Sequence, residues 1–86
     1  MKNYNIKFTR HSKQRMKLYN IIEDVVINII ETGESAETDD GKIIYIGSVK
    51  NFLYPVKIIC KIENDILVII SCYPLKRRNE NESILW

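Results

Sequence analysis

His11 and Arg15 stand four residues apart in the stretch T-R-H-S-K-Q-R-M-K, residues 9–17. On a helix that spacing puts both side chains on one face. An imidazole can take or give a proton near neutral pH, and a guanidinium offers phosphate two parallel hydrogen bonds. Metal-independent RNA cleavage asks for that combination. A base must take the 2′-hydroxyl proton, an acid must protonate the leaving 5′-oxygen, and cations must hold the charge on phosphate. His11 suits the first or second role, and Arg15 the third. Tyr73, closing the last apolar run, adds a hydroxyl or a surface on which a base can stack. The bland alternative has the same residues: a solvated basic face with a structural histidine.

Charge is segregated along the chain. The first twenty residues carry Lys2, Lys7, Arg10, Lys13, Arg15 and Lys17 and no acid. Residues 21–41 carry Glu23, Asp24, Glu31, Glu34, Glu37, Asp39 and Asp40 and no base. Lys76, Arg77 and Arg78 form a second basic cluster. Net charge is only +2, so the distribution rather than the total points to a polyanion partner. Lys7, Arg10, Lys13, Lys17 and Lys76, Arg77, Arg78 are the candidate RNA-binding cations.

These residues have to be carried by a fold. Thr9 can cap a helix whose apolar seam is Ser12, Met16 and Tyr19, which leaves His11 and Arg15 at its border. A second helix follows, with Asn20 as its cap, Glu23 completing an N-x-x-E box, and Ile22, Val25, Val26, Ile29 and Ile30 on one face. Gly33 is expected to end it in the left-handed conformation. The period then changes to two. Residues 34–38 and 42–49 flank a turn at Asp39-Asp40-Gly41, and residues 56–62 alternate. Residues 66–70 are apolar throughout, as in an interior strand covered on both sides. Residues 4–8 suit a short edge strand or an extended lead-in. The pattern predicts an α+β fold, two N-terminal helices packed on a four-stranded antiparallel meander sheet, in a single domain of residues 1–78 with a polar tail at 79–86.

Eighty-six residues support one core and little more. With a hairpin turn at Asn64-Asp65, Cys60 should oppose Ile69 and Cys72 should oppose Lys57, which makes both cysteines buried free thiols. One histidine and two isolated cysteines lack zinc-ligand spacing, the acidic stretch 34–40 lacks the pattern of a calcium loop, and no cofactor is expected. No apolar run reaches membrane-spanning length and no secretory leader is legible, so a cytoplasmic protein with no membrane partner is expected.

The opening F-T-R-H-S-x-x-R-M resembles the F-T-x-H-A-x-x-R-M signature of a widespread bacterial family of domains of unknown function. The isoleucine-valine second helix, E-x-G at residues 31–33 and the closing V-I-I-S-C-Y-P at residues 68–74 extend the likeness over roughly residues 6–75. In layout the chain is similar to RelE- and MqsR-type ribonuclease toxins of toxin–antitoxin systems. That resemblance implies a RelE/MqsR-like fold and a toxin-like endoribonuclease that cleaves mRNA, including ribosome-bound mRNA. His11 and Arg15 are then the matched motif positions, and Tyr73 matches the terminal strand. It also implies a cognate antitoxin of the zinc-finger, MqsA-like kind. Ser12 replaces the usual alanine, and Tyr19-Asn20-Ile21 departs from a common R-G-I. The alternative is a catalytically inert RNA-binding or protein-interaction module of the same fold.

Overall fold

The computed structural model describes residues 5–50 and 52–75. The cations at 76–78 and the polar tail at 79–86 lie outside those residues. The chain runs β1 (Asn5–Phe8), α1 (Arg10–Tyr19), α2 (Glu23–Thr32), β2 (Glu34–Glu37), β3 (Ile43–Gly47), β4 (Val56–Glu63) and β5 (Ile66–Pro74).

The architecture is α+β, but the sheet is mixed and has five strands, ordered β1-β5-β4-β3-β2. Strands β2 to β5 form the antiparallel meander that the short connections require. The expected four-stranded sheet misses β1, which pairs parallel with β5 from Asn5↔Ile66 to Phe8↔Ile69. The reason is physical. β5 would otherwise present an unpaired ladder along an apolar strand, and β1 satisfies those groups while its Ile6 and Phe8 pack on the core.

One face of the sheet carries the core. Val56, Ile58, Cys60, Leu67, Ile69 and Cys72 meet Met16 of α1, Ile21 of the interhelix turn, and Val26 and Ile29 of α2. α1 packs against β5, and α2 against β3 and β2. Among the described residues no helix lies over the other face. Val68, which points there, is still only 7% exposed. Its cross-strand neighbours are Lys7 and Lys61, whose aliphatic stems are long enough to lie over it.

The β4–β5 hairpin turns at Asn64 and Asp65, both left-handed, as a two-residue turn of matching twist requires. Cys60 opposes Ile69 as expected. Beyond that pair the register shifts: Ile59 faces Ser71 and Ile58 faces Cys72, so Cys72 does not oppose Lys57. Ile70 is the extra residue of a β-bulge on β5. It reverses the alternation, so the core-facing set is Leu67, Ile69 and then Cys72.

Two helix ends also differ from expectation. Asn20 does not cap α2. It closes α1 in the left-handed conformation (φ 59°), with its N–H turned back onto the Lys17 and Met16 carbonyls. α2 begins at Ile22 with no side-chain cap, and the carboxylates Glu23 and Asp24 in its first turn favour the helix dipole. Ile21 is buried and Ile22 is 61% exposed, the reverse of the periodic reading. Gly33 ends α2 in extended backbone (φ −81°). Glycine is required there by space, because a Cβ would stand 2.7 Å from the carbonyl oxygens of Ile29 and Ile46. Among the described residues no helix is long and apolar enough to cross a membrane.

The two faces of β5 predict unequal mutational costs. Ile69→Asp should lower stability by several kcal/mol, since the carboxylate enters a fully buried, apolar site. Val68→Asp should cost clearly less, because Lys7 and Lys61 flank it. Denaturant unfolding of both variants checks this, and equal losses would contradict the assignment of faces.

Candidate functional site

Thr9 fixes where α1 starts. Its Oγ1 accepts from the Ser12 N–H at 3.1 Å and donates to the Ile69 carbonyl at 2.9 Å, with the Ile70 carbonyl 3.3 Å away. Its own N–H donates to the Ile69 carbonyl at 3.2 Å. Ser12 is fully buried and its hydroxyl donates to the Thr9 carbonyl at 2.8 Å. The first turn of α1 is thus bolted to the β5 bulge. Ser12 and Met16 face the core, and rotation along the helix brings His11 and Arg15 to its border. His11 is exposed and Arg15 half-buried.

Arg15 Nε donates to His11 Nε2 across 3.4 Å. Only an unprotonated ring nitrogen can accept, so this contact is open to the imidazole tautomer that carries its proton on Nδ1. The guanidinium keeps its remaining N–H groups for an anion. A proton acceptor and a fixed cation therefore sit side by side on an exposed flank.

The other predicted cations divide into two groups. Arg10, Lys13 and Lys17 are exposed and follow i, i+3, i+7 on the solvent side of α1. Lys7 lies instead on the helix-free sheet face, in a groove of about 650 Å³ with Thr9, Lys42, Lys61, Asp40 and Glu63. Two lysines of that groove are already neutralised. Lys42 pairs with Asp40 at 2.7 Å and Lys61 with Glu63 at 2.9 Å. Tyr73 also lies on this face, opposite Lys57 in the register, with the ammonium 5.9 Å from its ring centroid. The structure brings His11 and Arg15 together and places Tyr73 with Lys57, on the side of the sheet turned away from the core.

A smaller pocket of about 340 Å³ lies at the C-terminal end of α1, lined by Tyr19, Asn20, Phe52, Leu53, Tyr54 and Pro74. No motif marks it. Its signal is the F-L-Y-P run at residues 52–55, aromatic yet lacking strand alternation. Cys60 and Cys72 are free and buried, and burial pushes their thiols up to about 12 and about 11. Among the described residues no three His, Cys, Asp or Glu side chains converge as metal ligands. Compared with protein-family models, curated proteins and solved structures, the chain matches none.

The tip of the β2–β3 hairpin makes a pH prediction. Gly41 takes the left-handed position (φ 86°) of a three-residue loop closed by Thr38 and Lys42. Hydrogen bonds from Lys42 and then Thr38 hold the Asp40 carboxyl at about 2. A carboxyl depressed in the folded state favours folding above its ordinary value, and that contribution fades as pH falls toward 2. An NMR titration should place the Asp40 midpoint near 2 in the native chain and nearer the ordinary carboxylate range in Lys42→Met. An unchanged midpoint in that variant would contradict the pairing.

Proposed function

We propose that this chain is a metal-independent endoribonuclease of the RelE/MqsR toxin type, acting on mRNA in the cytoplasm and held in check by an antitoxin. The observation that carries the reading is the hydrogen bond from Arg15 Nε to His11 Nε2 on an exposed helix flank. An RNA phosphate would compete with His11 for the guanidinium. Binding would then draw Arg15 onto the phosphate and leave Nε2 free to accept a proton. Nε2 takes the 2′-hydroxyl proton and O2′ attacks phosphorus. The P–O5′ bond breaks to leave a 2′,3′-cyclic phosphate, and the imidazolium returns the proton to the departing 5′-oxygen. Arg10, Lys13 and Lys17 would hold neighbouring phosphates along α1.

A second reading is favoured by one observation. Tyr73 lies with Lys57 on the helix-free face, so it brings no second proton-transfer group to the His11–Arg15 pair. A catalytically inert RNA-binding or protein-interaction module would show that arrangement. Activity separates the two. His11→Ala should lower the cleavage rate by about 10²–10⁴ and leave the fold intact, since His11 is exposed. Arg15→Lys should be impaired as well, because an ammonium lacks the planar two-point contact. An oligonucleotide with a 2′-deoxy sugar at the cleaved bond should bind without being cut. Full activity in His11→Ala, or cleavage of the deoxy substrate at that bond, would overturn the mechanism.

A further inference from the structure

α1 carries a third functional position in line with the first two. Tyr19 follows Arg15 by four residues and His11 by eight, so the three occupy one row along the helix. At 1.5 Å of rise per residue, Tyr19 stands about 6 Å beyond Arg15 and about 12 Å beyond His11 along the axis. Tyr19 is also the wall of the pocket that ends the helix. Phe52 and Tyr54 come from the loop ahead of β4, and Pro74 from the end of β5. Tyr19 and Phe52 pack on the core, so the aromatic floor is rigid. Leu53, at 85% exposed, stands at the mouth, uncovered by any of the described residues.

The polar equipment is small and specific. Asn20 is exposed, its left-handed backbone is pinned by its N–H, and its side-chain amide makes no hydrogen bond among the described residues. An amide both donates and accepts, which suits the edge of an unpaired base. Among the described residues no carboxylate lines the pocket, and Lys17 lies one helical turn before it on α1. Flat aromatic walls, one free amide and adjacent cations suit a nucleobase attached to phosphate. A purely apolar peptide anchor would leave the amide unused. Continuity with the His11–Arg15 row favours the base for the same reason.

We propose that the pocket of Tyr19, Asn20, Phe52, Leu53 and Tyr54 receives one unpaired base of the RNA whose phosphate meets Arg15, and so sets which nucleotide lies beside that phosphate. The inference rests on the RNA reading given above, and its test separates the two. Affinities of the full chain for single-stranded oligo(A), oligo(C), oligo(G) and oligo(U) of one length, all 2′-deoxy so that none is cut, are measured for four proteins. The native chain should prefer one base. Asn20→Gly, which keeps the left-handed backbone, should flatten that preference. Leu53→Glu, an exposed change that spares the core, should weaken the preferred oligomer about tenfold by placing a carboxylate at the mouth. Arg15→Ala should weaken all four oligomers alike. If Asn20→Gly and Leu53→Glu bind like the native chain while Arg15→Ala is weakened, the base pocket is overturned, the RNA reading stands, and the pocket is left to an apolar protein anchor. If the native chain binds none of the oligomers at low salt, both fall together.

Discussion

The arrangement depends on one junction, where Thr9 meets the carbonyls of Ile69 and Ile70. Parallel pairing of β1 with β5 ends at Phe8↔Ile69, and the next residue turns from strand to helix. A threonine at that point does two things with one hydroxyl. It accepts from the helix N–H of Ser12, and it donates to the strand. The bulge at Ile70 lets β5 change the facing of its side chains while β1 gives way to α1. Because the seam residues Ser12 and Met16 must then face inward, the angular position of His11 and Arg15 follows. The candidate chemistry is thus set by a cap and a bulge, neither of which takes part in it.

Electrostatics separates two surfaces that look alike by composition. The sheet groove holds three lysines, but Asp40 and Glu63 occupy two of them. The ion pairs are exposed and contribute little to stability, yet they reduce what the groove can offer a polyanion. On α1, by contrast, Arg10, Lys13 and Lys17 have no ion pair among the described residues, and the first turn holds no acid. The acidic stretch 21–41 supplies the start of α2 and the β2–β3 hairpin, so it does not neutralise this helix. A helix whose charge is unspent is the better polyanion surface.

Local chemistry was legible in the residues, and non-local geometry was not. Thr9 as cap, the Ser12–Met16 seam and the His11–Arg15 contact all follow from spacing within a few turns of helix. The hairpins at Asp39–Gly41 and Asn64–Asp65 announce themselves by residue type. The parallel addition of β1 depends on an edge some sixty residues away in sequence, which periodicity does not report. The bulge hides within a β-branched run whose members look interchangeable. At Asn20 two uses competed, a cap for α2 or a left-handed end for α1, and the turn between the helices took the second. Gly33 signals a helix end by residue type, but the requirement it meets is close approach to Ile29 and Ile46 rather than a left-handed conformation. The aromatic loop at 52–54 carried no alternation and no motif, so its pocket emerged only from the fold.

In the proposed mechanism His11 and Arg15 form one unit that an RNA phosphate opens. The chain has a single histidine, so its ring nitrogens give one unambiguous pair of NMR resonances. In the neutral ring of the free protein Nδ1 should carry the proton and Nε2 should show the shift of an acceptor. Saturation with a 2′-deoxy oligonucleotide should move Nε2 as Arg15 leaves it, and Arg15→Ala should abolish that change. Ring resonances that stay unmoved by saturating oligonucleotide, or that move equally without Arg15, would contradict the account.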